Sequence, residues 1–143
     1  MVQIDKKKYK IQTALIVGLG SIGMRHLGVM TELFPKIKII AFRHNPESCN
    51  EIISGVSLSV SNIQDAIIEK PDIAIIANPA AMHLTVAMKL ARAGIHLLIE
   101  KPLSTDSHGV EGLLNLCSSK KVKLTTGFNL RFLPCLAFLK VQV

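Results

Sequence analysis

Apolar residues fall along this chain in two alternating patterns. Short unbroken runs occupy residues 14–17, 73–77 and 97–99. They lack the period-2 alternation of a strand with one wet face, so they read as strands buried on both faces. Between them, apolar residues recur at helical spacing. Leu84, Ala87, Met88 and Ala91 share one face, and Val110, Leu113, Leu114 and Cys117 follow i, i+3, i+4, i+7. The pattern predicts strands at 13–18, 36–42, 56–59, 72–77, 95–99 and 122–126. It places helices at 21–33, 46–54, 61–69, 79–93 and 106–119. Ser61 and Gln64 have capping-box spacing at one helix start, and Gly94 stops another helix. Alternation of this kind means an α/β fold, a doubly wound parallel sheet covered by helices on both sides. Ligands in such a sheet bind beyond the carboxyl ends of the strands, where the strand order reverses.

Composition narrows the class. The 143 residues suffice for one domain with a substantial core, and 49% of them are hydrophobic, which excludes a disordered chain. No apolar run reaches the roughly 18 residues of a membrane span, so no membrane partner is expected. Residues 1–12 read as a solvated basic extension containing Lys6-Lys7-Lys8-Tyr9-Lys10, without the apolar stretch of a signal peptide. The net charge is +7, but the other basic residues are scattered and aromatics are few. No stacking platform joins a basic stripe, so no nucleic-acid partner is expected. A basic domain also suits an anionic cofactor. The cysteines are Cys49, Cys117 and Cys135, without C-x-x-C spacing. They fit a reducing cytoplasm and give no metal site.

One strand-to-helix junction carries specific chemistry. After the first strand comes Gly18-Leu19-Gly20-Ser21-Ile22-Gly23, a G-x-G-x-x-G turn, then His26. Gly18 permits the tight turn, Gly20 the approach of phosphates, and Gly23 close packing of helix on strand. The helix N-terminus, from Ser21 and Ile22, offers free N–H groups to an anion. The expected ligand is a dinucleotide pyrophosphate. An NAD site usually places a carboxylate about 20 residues further on, for the ribose 2′-hydroxyl. Here the second strand ends in Phe42-Arg43-His44-Asn45. Arg43 can pair with a 2′-phosphate and His44 can add a donor, which favours NADP and leaves NAD open.

A second constellation adds a family. Asn78-Pro79 is followed by His83, and Ala93-Gly94-Ile95-His96 leads to Glu100-Lys101-Pro102. With the glycine turn and His26, these residues resemble the glucose–fructose oxidoreductase / inositol dehydrogenase (Gfo/Idh/MocA) family over roughly residues 13–140. The resemblance implies a Rossmann dinucleotide-binding domain, placed at 13–127. It implies that Lys101 is catalytic, binding substrate hydroxyls and assisting proton transfer, and that Glu100 helps hold the nicotinamide ribose and orients Lys101. His83 is expected near the cofactor or in a packing role, and His26 in a structural one beneath the first helix. Gly127-Phe128-Asn129-Leu130-Arg131-Phe132 resembles the family's crossover toward the substrate pocket, making Asn129 a cofactor contact and Arg131 a substrate contact. The implied substrate is a small sugar, polyol or sugar derivative, oxidised or reduced by hydride transfer.

Members of that family are about twice as long, with a second domain supplying an Asp and a His. No such pair follows here, so the second, substrate domain is expected to be essentially absent, with 128–143 the crossover into it and the isolated chain inactive. The apolar end of the chain favours self-association, which keeps a homo-oligomer among the expectations. Two other readings stay open: a non-catalytic dinucleotide-binding fragment, and a glycosidase-like relative that uses tightly held NAD for transient oxidation.

Overall fold

A computed structural model describes residues 11–134 and residue 138. Its centre is one parallel sheet of six strands: β1 (Thr13–Val17), β2 (Lys38–Phe42), β3 (Leu58–Val60), β4 (Ile73–Ile76), β5 (His96–Ile99) and β6 (Leu124–Thr126). The spatial order is β3-β2-β1-β4-β5-β6. The chain winds outward from β1 to β3, returns to β4 beside β1, and winds outward the other way. The order therefore reverses between β1 and β4, where Val17 lies opposite both Phe42 and Ile76.

Both faces of the sheet are covered, as the unbroken apolar runs predict. Alternate residues of one strand enter different cores. Ala14 and Ile16 join Ile39, Ile75 and two residues of helix α1 (Ser21–Leu33), Leu27 and Met30. Leu15 and Val17 face the opposite way, into a larger core with Ile40, Ala74, Ile76, Leu97 and Ile99. Helices α2 (Ile63–Ile68), α3 (His83–Arg92) and α4 (Val110–Ser119) close that core through Ala66, Val86, Ala87, Leu90, Ala91, Leu113 and Cys117. Among the described residues, no helix is long and apolar enough to cross a membrane.

Element boundaries depart from the sequence pattern for local reasons. The predicted cap Ser61 is displaced by Asn62, whose Oδ1 accepts from the Gln64 amide at 2.9 Å. The helix expected from 106 starts only at Val110, because Gly109 takes a left-handed conformation and Asp106 Oδ1 accepts the His108 amide instead. The helix expected at 79–93 opens as a 3₁₀ turn (Ala80–Met82) before α3 begins. The segment 46–54 is only a 3₁₀ turn (Pro46–Asn50), capped by Asn45. On α4, Leu114 is exposed, and Leu113 and Cys117 carry the packing.

Candidate functional site

The residues that follow β1 and β4 meet at the reversal point. Gly18 has φ of +87°, and a Cβ there would lie 2.9 Å from the Asn78 Cα. Glycine is therefore required both for the backbone angle and for the approach of the two turns. Gly23 is tighter: a Cβ would lie 1.9 Å from the Gly18 carbonyl oxygen. Gly20 differs from both, since a Cβ there meets nothing within 4 Å. It borders open space at the start of α1. Among the described residues, no side chain caps that helix, and its first turn holds no acidic residue, so its leading amides stay available to an anion.

Three cavities run along this edge of the sheet and share walls. One of about 430 Å³ is lined by Gly18, Gly20, Phe42, His44, Ala77, Asn78, Pro79 and Met82. Phe42, His44 and Met82 also line a second, of about 440 Å³, which continues past Asn62, Thr85 and Lys89. Ala77 and Asn78 also line a third, of about 150 Å³, with Ile22, His83, Glu100 and Lys101. The result is an elongated cleft from Lys101, across the glycine turn, to His44 and Lys89. At its wall, the Asn78 Oδ1 and Nδ2 are buried without a hydrogen-bond partner among the described residues. Buried amides are normally satisfied, so an unpaired one in a cleft fits a polar ligand group. The open face at Gly20, the uncapped helix start and this amide together fit a dinucleotide.

The Glu100–Lys101 corner is built by two histidines. His26 of α1 is not a buried structural ring beneath the helix, as expected, but half-buried, with Nε2 2.8 Å from Glu100 Oε1. The other carboxylate oxygen accepts the Lys101 amide at 3.3 Å. A Cβ on Gly127 would lie 3.0 Å from Glu100 Oε1, so the carboxylate is also packed beneath the end of β6. Glu100 is thus committed to α1 and to the Lys101 backbone. His83 is 2% exposed, with Nδ1 2.8 Å from the Pro102 carbonyl and Nε2 2.8 Å from the Asn78 carbonyl. Carbonyls only accept, so each contact is a hydrogen bond when that nitrogen carries a proton. The ring fastens the Asn78 turn to the loop after Lys101, where the Lys101–Pro102 peptide is cis. His83 therefore ties two loops together and also lines the smallest of the three cavities.

Arg43 departs from expectation. Its guanidinium lies outside the linings of these cavities and turns back on the 3₁₀ turn. Nη1 donates to the Ser48 carbonyl and Nη2 to Glu51 Oε2 at 2.8 Å. His44, its neighbour, takes the place in the cavity wall. Ser21 is exposed at the start of α1, with Ile22 in the wall beside Lys101. Asn129 is exposed on a 3₁₀ turn (Asn129–Phe132) after β6, away from the three cavities, and the Arg131 side chain and Cys135 lie outside the described residues. Phe42, Met82, Thr85 and Lys89 escaped the sequence reading. Isolated apolar, hydroxyl-bearing or charged residues outside the glycine turn carry no motif that marks them as cleft walls.

Residues 13–128 match the family model GFO_IDH_MocA, an oxidoreductase family with an NAD-binding Rossmann fold. The UDP-N-acetylglucosamine 3-dehydrogenase of Acidithiobacillus ferrooxidans is 28% identical over 124 residues, 85% of this chain and 40% of that protein. The inositol 2-dehydrogenase of Rhizobium meliloti is 31% identical over 121 residues, 83% of this chain and 36% of that protein. The crystal structure of the WlbA dehydrogenase of Bordetella pertussis, in complex with NADH and UDP-GlcNAcA, superposes with a TM-score of 0.83 over 92% of this chain and 41% of that one. At 22% identity, it shows the fold alone. The chain spans about 40% of the length of the first of these relatives.

Proposed function

The chain belongs to the GFO_IDH_MocA oxidoreductase family, and on that premise we propose that it holds the nicotinamide dinucleotide of an NAD(P)-dependent oxidoreductase acting on a sugar, polyol or sugar derivative. The observation that carries this reading is the cleft itself. It is a row of three cavities with shared walls from Lys101 to His44, passing the glycine turn and bordered by Asn78, whose amide has no hydrogen-bond partner among the described residues.

The roles of the chain's own residues follow. The amides at the start of α1, beside Gly20, bind the pyrophosphate. The Asn78 amide would bond a polar group of the dinucleotide. When bound, the cofactor supplies the carbon that takes up or gives the hydride. Lys101 is exposed at the end of the cleft on a loop fixed by Glu100, Pro102 and His83. Its ammonium bonds the substrate oxygen and holds or moves the proton there as the carbon changes oxidation state. Glu100 acts through the Lys101 backbone, and a contact to the nicotinamide ribose uses whatever acceptor capacity His26 leaves.

Residues 13–127 form the dinucleotide domain in this reading. The relatives' names point to sugars and polyols as substrates. The three cysteines, odd in number and without C-x-x-C spacing, support a reducing, cytoplasmic setting. The test is titration calorimetry of this chain with NAD and with NADP. Saturable one-to-one binding of at least one is expected, and heatless titrations with both would end the proposal.

A further inference from the structure

The end of β2 carries no carboxylate for a ribose 2′-hydroxyl, and its basic residue is already engaged. Arg43 gives Nη1 to the Ser48 carbonyl and Nη2 to Glu51 Oε2 at 2.8 Å. The Arg43 side chain is only 16% exposed, whereas that of Glu51 is 65% exposed. The arginine is packed in place, and the carboxylate reaches in from the surface to meet it. A guanidinium pairs with phosphate and carboxylate through the same planar fork of donors. A 2′-phosphate arriving at Arg43 would therefore meet an anion already on Nη2, beside the Ser48 carbonyl on Nη1, and be repelled by it.

We infer that Glu51 is a specificity-determining residue: an internal carboxylate that occupies Arg43 and weakens the hold on a 2′-phosphorylated dinucleotide. This rests on the dinucleotide reading above and deepens it. With Glu51 in place, Arg43 discriminates little in favour of NADP, and the wild-type chain binds NADP no more tightly than NAD. Release of Arg43 lets its fork turn to the 2′-phosphate. NAD carries no charge at that position, so its affinity is insensitive to Glu51.

The test compares NAD and NADP by titration calorimetry in one buffer, using the wild-type chain, Glu51→Gln, and Glu51→Gln combined with Arg43→Gln. Glu51 is largely exposed, so its replacement leaves the fold intact, and circular dichroism verifies this for all three proteins. Glu51→Gln is expected to raise the NADP-to-NAD affinity ratio about tenfold, with NAD changed by less than about twofold. The double variant is expected to return the ratio to its wild-type value. A ratio that Glu51→Gln does not raise overturns the inference. So does a rise that persists without Arg43, because the gain would then come from lost surface charge rather than a freed guanidinium. If NAD and NADP fail to bind to all three proteins, the cofactor reading falls and this inference falls with it. If NAD binds but the ratio stays fixed, only the inference falls.

Discussion

Gly20 and Gly23 stand three residues apart in one turn, and their substitutions separate holding the ligand from holding the fold. A methyl group at Gly23 would lie 1.9 Å from the Gly18 carbonyl oxygen, a backbone atom that cannot swing aside. Gly23→Ala should cost about 3 kcal/mol in urea denaturation and take dinucleotide binding with it. A methyl at Gly20 meets nothing within 4 Å, and its φ of −68° suits any residue. Gly20→Ala should leave the denaturation midpoint almost unmoved and weaken binding about tenfold, because the new carbon stands in the open cleft. Equal stability losses in the two variants would contradict this assignment. The motif that requires these glycines is legible in the sequence because each constraint is local: a φ angle, or a contact within one turn. The partners of Glu100 are not legible in that way. His26 lies 74 residues away in sequence, and only the packing of α1 against the sheet brings it to 2.8 Å.

At the scale of elements, α2 and α4 show where periodicity stops being enough. The spacing of Ser61 and Gln64 is right for a capping box, yet Asn62 makes the cap. Asn62→Ala should cost about 1 kcal/mol in chemical denaturation. Ser61→Ala should stay within about 0.5 kcal/mol of wild type. On α4, the four apolar residues predicted to share a face are not equally buried, since helical spacing fixes a stripe but not the angle at which the sheet meets it. Cys117 lies within that contact, and burial pushes its thiol above the ordinary value of 9.0. The unfolded chain therefore loses this proton first as pH rises. The stability contribution of the neutral buried thiol is complete below the ordinary value and declines as pH climbs through it toward the raised one. The denaturation midpoint of wild type should accordingly fall more steeply above about pH 9 than that of Cys117→Ala. Parallel pH profiles would contradict it.

At the scale of the whole molecule, the cleft joins the two halves of the sheet. Its walls come from β2, the turns after β1 and β4, α3 and the loop after β5. A dinucleotide bound along it should lock these halves together. At a hundred times its Kd, it should add about 2.7 kcal/mol to the unfolding free energy. Thermal melts with and without NAD measure this, and an unshifted midpoint would count against a ligand that spans the cleft.

The sequence alone determined the doubly wound sheet, the glycine turn and the Asn78-Pro79 and Glu100-Lys101-Pro102 corners. Each is written in backbone angles, short-range spacing or the two-sided burial of a strand, which neighbouring residues enforce without help from afar. Tertiary structure decided which polar groups are already taken. Glu100 is held by His26, His83 is fixed between two carbonyls, and Arg43 is paired with Glu51 and the Ser48 carbonyl. A charged side chain has several residues of reach and many partners of equal chemistry. Only the packed fold selects among them, by distance and by exclusion of water.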